Sequence, residues 1–136
     1  ALLFDPELVY FVDKDERALK KLKNNLQLMD LKDYEIFNSD IKEFNKKVDL
    51  VIQNPPFGVK NEHADKIFLQ RAFHISNVIY SFHKLTSEKF IEAIAKDHNF
   101  KITHFFKFNF PLKRTMQYHK KKIQKIEVGC WRFKKI

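Results

Sequence analysis

Glycine is almost missing from this chain: its 136 residues include two, Gly58 and Gly129. Average usage would place about nine or ten in that length. A phosphate-wrapping P-loop, a G-x-G-x-x-G dinucleotide turn and a G-x-S-x-G nucleophile elbow each need glycines at fixed offsets, so the sequence contains none of them. Cysteine is scarcer still. Cys130 stands alone and has no partner for an internal disulfide. The histidines (His63, His74, His83, His98, His104, His119) are scattered one per segment, away from zinc-ligand spacings, and no metal site is expected. No apolar run approaches the roughly 18 residues of a membrane span, and no signal peptide opens the chain. The expectation is a soluble, cytoplasmic protein that does not enter a membrane. Acidic residues are short in one region, since residues 101–136 hold 11 basic residues against the single acid Glu127.

What is present suits one domain over residues 1–136, with 44% apolar residues to build a core. The net charge of +9 resides in the C-terminal third, which contributes +10, while residues 1–100 sum to −1. A basic third on a neutral body suits a polyanion such as RNA or DNA. A lysine-rich composition that only keeps the chain soluble explains the charge equally well, so charge alone does not choose.

Short apolar runs alternate with helical spacings, the pattern of an α/β domain with a mainly parallel sheet. Leu8 to Val12 reads as a buried strand ending at Asp13. Ala18, Leu19, Leu22, Leu26 and Met29 then recur at helical spacing. Tyr34 to Phe37 is a second strand and Val48 to Ile52 a third. Ile67, Phe68, Arg71, Ala72 and Ile75 mark a second helix, and Val78 to Phe82 a fourth strand. Thr86 or Ser87 caps a helix that turns Phe90, Ile91, Ile94 and Ala95 inward. From Lys101 to Phe110 the side chains alternate, with Ile102, His104, Phe106, Phe108 and Phe110 predicted on one face. Pro111 ends that strand, and Ile126 to Phe133 returns as a sixth. Two final strands with no helix between them predict an antiparallel hairpin at the sheet edge.

The most specific feature is Asn54-Pro55-Pro56-Phe57, directly after Leu50-Val51-Ile52. In a doubly wound sheet the carboxyl ends of the strands face the ligand crevice. Two prolines fix two φ angles and remove two donors, leaving a stiff turn that presents carbonyl oxygens. The Asn54 side-chain oxygen and the Pro55 carbonyl can accept both hydrogens of a planar amino group, and Phe57 can stack on the ring that bears it. Such acceptors draw an amine toward tetrahedral geometry and aim its lone pair at an electrophilic methyl group, a transfer that needs alignment more than a strong base. The plain alternative is a turn after a strand. Asp13 and Asp40 follow the first two strands, where a carboxylate can take ribose hydroxyls and an adenine amine, with Ile41 against the ring. Their alternatives are a helix N-cap and a turn residue.

Cys130 beside Trp131 reads as a small core residue, and no Pro-Cys dipeptide offers a cytosine C5-methylation nucleophile. His83, next to Lys84, can line the site, but a surface or core histidine is the plainer reading. Tyr118-His119-Lys120-Lys121-Lys122, with Lys113 and Arg114 before it, can grip a phosphate backbone while Tyr118 stacks, or form a solvated hairpin.

These residues resemble class I S-adenosylmethionine-dependent methyltransferases that methylate amino groups. More closely, the chain resembles the archaeal and eukaryotic methyltransferase-like family that modifies an adenine at N6 in small-subunit ribosomal RNA. The likeness runs through Val12-Asp13-Lys14-Asp15, Asn54 to Lys60, Val78 to Lys84, and Tyr118 to Lys122 leading to Ile126-Glu127-Val128. It implies a Rossmann-like doubly wound sheet, mostly parallel with an antiparallel C-terminal edge hairpin, and S-adenosyl-L-methionine as cofactor. Asp13, with Lys14 beside it, would lie at the ribose, Asp40 and Ile41 at the cofactor adenine, and Asn54 to Phe57 at the target base, with Asn54 also reaching the cofactor. Ribosomal RNA is the implied partner, and in eukaryotes a small zinc-binding activator subunit joins such enzymes. One departure stands out. The family's glycine-rich turn after its first strand has no counterpart between Ala1 and Phe57, so the expectation is a domain whose N-terminal strand and loop are missing from this chain. Three competing readings keep the same residues: a DNA adenine methyltransferase, a protein glutamine methyltransferase, and a non-catalytic RNA-binding relative.

Overall fold

A computed structural model describes residues 4–57, 64–112 and 124–136. The chain groups into two compact units, Ala1–Asn45 and Lys46–Ile136.

The first unit is a βαβ element. β1 (Val9–Asp13) and β2 (Tyr34–Asn38) pair in parallel, with Val9 opposite Tyr34 and Asp13 opposite Asn38. A parallel pair needs a crossover, and α1 (Glu16–Leu28) supplies it. Asp15 starts the helix by accepting the Arg17 amide at 2.9 Å, which satisfies one of the free first-turn donors. Leu19 and Leu26 are buried and Leu22 half-buried, as the spacing predicts. Ala18 is exposed, and Met29 forms the helix C-cap with its side chain in solvent. Leu8, expected inside the strand, precedes it and is exposed. Beside the sheet, Tyr10, Phe37 and Phe44 meet edge to face, with ring centroids 5.3–5.8 Å apart.

The second unit is a four-stranded sheet in the order β3 (Val51–Gln53), β4 (Val78–Lys84), β6 (Gln124–Lys135), β5 (Phe100–Leu112). β3 and β4 are parallel, and β6 runs antiparallel to both β4 and β5. The predicted C-terminal hairpin is therefore present, with β5 at the edge. β3 is shorter than expected: Val48 sends its amide to the Ile75 carbonyl at 3.0 Å instead of joining a ladder. Leu50 and Ile52 are exposed.

α2 (Ala64–Ile75) and α3 (Glu88–Asp97) cover one face of this sheet. Leu69, Ala72 and Phe73 from α2 and Ile91, Ile94 and Ala95 from α3 pack with Ile79, Phe100, Trp131 and Phe133. The α2 stripe is partly as predicted: Ala72 and Ile75 are buried, but Leu69 and Phe73 join them while Ile67 is exposed. Aromatic packing brings Phe73 inward, since it lies 4.3 Å from Phe100 and 5.4 Å from Phe133 between ring centroids. At α3 a tight turn, Leu85–Ser87, runs straight into the helix, so Ser87 occupies the cap position without a side-chain bond.

β5 departs from simple alternation. The ladder pairs Ile102 with Phe133 but His104 with Arg132, so the strand is bulged between them. Cross-strand partners share a face, so Ile102 faces the helices with Phe133 while His104, Phe106, Phe108 and Phe110 point the other way. Phe106, Phe108 and Phe110 are exposed there, and Phe105, not Phe106, packs on Trp131 at 4.8 Å. Pro111 does not end the strand, which continues to Leu112 because an edge strand has an open side where no amide is needed.

Gly129 lies beneath that aromatic pair. A Cβ at this position would come within 2.5 Å of the Phe105 ring and 2.6 Å of the Trp131 ring. Trp131 is buried and has no room to retreat. Gly129→Ala is therefore expected to lower stability by about 1–3 kcal/mol through overpacking, measured as a fall in the urea midpoint at unchanged slope. An unchanged midpoint would show that the two rings can move aside.

Candidate active site

The predicted site residues fall into two groups, one in each unit. In the first unit, Asp13 ends β1 and Asp40 follows β2, at the carboxyl ends of two parallel strands. The Ser39 amide donates to the Asp13 carbonyl at 3.1 Å, which ties the two strand ends together. Asp13 Oδ1 accepts the Asp15 amide at 2.9 Å, and Asp40 Oδ1 accepts the Lys42 amide at 2.9 Å. The helix cap is thus Asp15, not Asp13, while Asp40 does start a short turn, Ile41–Glu43. These bonds fix the orientation of both carboxylates without exhausting them, since an ionised carboxylate offers about four lone-pair sites. Asp13 and Lys14 are exposed, and Asp40 and Ile41 half-buried. These acceptors fit a ligand that presents hydroxyls and an amine, with Ile41 available to an apolar ring.

In the second unit, Asn54-Pro55-Pro56-Phe57 leaves β3 directly after Gln53. The segment forms no regular turn, helix or strand, contrary to the expectation; Pro55 is buried, Asn54 and Pro56 are exposed, and Phe57 is half-buried. The segment thus presents an amide side chain to solvent from a base of low backbone freedom, with an aromatic ring nearby in sequence.

Next to this segment lies a polar chain, enclosed at its centre, whose members are far apart in the sequence. The Gln53 Nε2 donates to Ser81 Oγ at 3.0 Å, Ser81 Oγ lies 2.6 Å from His83 Nε2, and His83 Nδ1 lies 2.8 Å from Asp65 Oδ2. Ser81 and His83 are fully enclosed, at 0% and 1% exposure, which decides the open question about His83 in favour of the interior. Register explains their meeting, because residues two apart on β4 share a face, and Ser81 is also the ladder partner of Gln53. The pair Ser81-x-His83 was visible as a signal, but nothing in the sequence pointed to Asp65 at the start of α2.

Cys130 is a free, buried thiol, as expected, and burial pushes its pKa up. On the sheet face opposite α2 and α3, Arg132 donates to the Tyr80 hydroxyl at 3.0 Å and to Thr103 Oγ1 at 2.6 Å. Among the described residues there is no group of His, Cys, Asp and Glu that could hold a metal ion, and no helix long and apolar enough to cross a membrane. The basic residues predicted to hold nucleic acid, Lys113, Arg114, Tyr118, His119, Lys120, Lys121 and Lys122, lie outside the described residues, as do Gly58, Val59 and Lys60.

Residues 2–78 match the family model described as the methyltransferase small domain. The rRNA N(6)-adenosine-methyltransferase METTL5 of Danio rerio is 32% identical over 139 residues, covering 98% of this chain and 67% of that protein. The chain spans about two thirds of the length of the curated relatives it matches. Among solved structures, a candidate RNA methyltransferase from Pyrococcus horikoshii superposes with a TM-score of 0.87 at 38% identity, covering 99% of this chain and 67% of that one. TYW2 of Methanocaldococcus jannaschii, solved in complex with AdoMet, shares the fold with a TM-score of 0.63 at 19% identity, covering 96% of this chain and 59% of that one.

Proposed function

Since the chain belongs to the methyltransferase small-domain family, we propose that it methylates the N6 amino group of an adenine in RNA, most specifically small-subunit ribosomal RNA, using S-adenosyl-L-methionine. The observation that carries this reading is the Asn54 to Phe57 segment after β3, with its exposed amide side chain, its buried proline and its aromatic residue. The Danio rerio relative, named as an rRNA N(6)-adenosine methyltransferase, supports the choice of acceptor.

In this reading Asp13 takes the ribose hydroxyls, with Lys14 beside it, and Asp40 takes the cofactor adenine amine with Ile41 against its ring. The cofactor supplies, when bound, an electrophilic methyl group on a sulfonium. Asn54 and the Pro55 carbonyl accept the two amino hydrogens of the target base, and Phe57 stacks on its ring. Holding the amine this way withdraws its lone pair from the ring and points it at the methyl carbon, so most of the acceleration comes from orientation. After transfer the surplus proton leaves the amine for water. Residues 113–122 would grip the RNA backbone. The two compact units would then belong to one methyltransferase domain, a reading supported by the family match, which runs across their boundary; the expected location is the cytoplasm.

Transfer of radiolabelled methyl to ribosomal RNA, with DNA and a glutamine-containing protein as competitors, tests the acceptor. It is run with and without the small zinc-binding activator that the resemblance implies. N6-methyladenosine in the digested RNA is the expected product. Preferential labelling of DNA or protein would replace the substrate, and absence of cofactor binding would replace the enzyme with an RNA-binding module.

A further inference from the structure

With a neutral imidazole, the chain Gln53–Ser81–His83–Asp65 has one consistent set of proton positions. The Gln53 amide nitrogen can only donate and the Asp65 carboxylate can only accept. A neutral His83 then carries its proton on Nδ1 and accepts the Ser81 hydroxyl at Nε2, while Ser81 accepts from Gln53. Every donor points the same way, so each bond polarises the next. The order serine, histidine, aspartate is that of a hydrolytic triad, but a serine with no exposed surface, already bonded to Gln53, cannot meet a substrate.

Its placement gives the chain another use. Gln53 immediately precedes Asn54, and Asp65 lies in the first turn of α2, on the far side of the same segment. β4 thus holds the residue before Asn54 and the first turn of α2 through two of its own side chains. Trp131 closes over the His83 ring at 5.9 Å between centroids, edge to face, which limits the ring's motion.

Resting on the methyl-transfer reading above, we infer that Ser81, His83 and Asp65 are positioning residues that hold the Asn54 segment in register for the acceptor amine. Ser81→Ala and Asp65→Asn are expected to lower kcat roughly tenfold to a hundredfold, the scale of a small misplacement of reacting groups. The KM values for cofactor and RNA should stay within about twofold, because uniform binding is untouched. His83→Gln separates positioning from simple filling. Its amide can accept from Ser81 and donate to Asp65 as the imidazole does, so it should retain most of kcat, whereas His83→Phe fills the space without either bond and should lose it. A Phe variant as fast as the Gln variant, or Ser81→Ala at the wild-type kcat, overturns the inference.

If His83→Phe does not fold, Ser81→Ala carries the test, since it removes a single oxygen atom. Hydrogen exchange at the Asn54 and Phe57 amides of the intact protein gives a readout independent of turnover. Faster exchange in Ser81→Ala is expected, and unchanged exchange overturns the inference. Faster exchange in Ser81→Ala, alongside a wild-type protein that transfers no methyl, would defeat the proposed function and leave the positioning role standing.

Discussion

Asn54→Ala is expected to lower the rate of methyl transfer by about 10²–10³, the scale seen when one preorganised hydrogen-bonding group is removed from a reacting centre. In the proposed mechanism two acceptors, the Asn54 side chain and the Pro55 carbonyl, hold the two hydrogens of the target amine. With one gone, the amine stays planar and conjugated for more of its time and its lone pair is aimed at the methyl carbon less often. Because Asn54 is exposed and follows β3 without belonging to it, the substitution leaves the sheet and core intact. The loss should therefore appear in kcat under single-turnover conditions, with an unchanged unfolding curve and little change in RNA affinity. A variant within about threefold of wild type would remove Asn54 from the chemistry, since orientation alone accounts for far more than that.

The largest effect on stability is expected at Phe133. It has no exposed surface, sits on the central strand β6, and pairs with Ile79 on one side and Ile102 on the other. Its ring meets Phe73 of α2 edge to face. Phe133→Ala would remove apolar burial and leave a cavity bounded by two strands and a helix that cannot all close over it, at about 3–5 kcal/mol. That is a large share of the 5–15 kcal/mol that holds a typical domain together. Urea unfolding of the variant reads it directly. A loss under about 1 kcal/mol would mean that the site collapses freely and that the core of this unit does not centre on β6.

Strand and helix identities were legible because periodicity survives into the structure. All six strands and all three helices exist close to where alternation and helical spacing placed them. Their faces were less legible. The β5 bulge reverses which residues share a face after Ile102, and no local residue choice around Thr103 announces it. On α2, Ala72 and Ile75 face inward as the spacing predicts, but Phe73 joins them because it finds two aromatic rings from distant strands, a contact that no window of α2 contains. Pro111 looked like a terminator, but on an edge strand the missing amide has no ladder partner to lose.

The same division holds for the candidate site. Asn54 to Phe57 stood out because an asparagine and two prolines after an apolar strand form a rare and chemically specific run, and Asp13 and Asp40 because carboxylates at strand ends have a recognisable use. The small number of glycines excluded phosphate-wrapping loops by itself, and the placement of lysines and arginines localised the basic charge to the C-terminal third. These are properties of local order along the chain, so the sequence alone determined them. Gln53, Ser81, His83 and Asp65 meet only because parallel pairing sets Gln53 against Ser81 and because α2 brings Asp65 over β4. The crowding at Gly129, where two rings occupy the space of a side chain, likewise exists only once β5 and β6 are paired. Long-range contacts of this kind depend on register and on helix placement, which the whole core decides together, and so only the tertiary structure decided them.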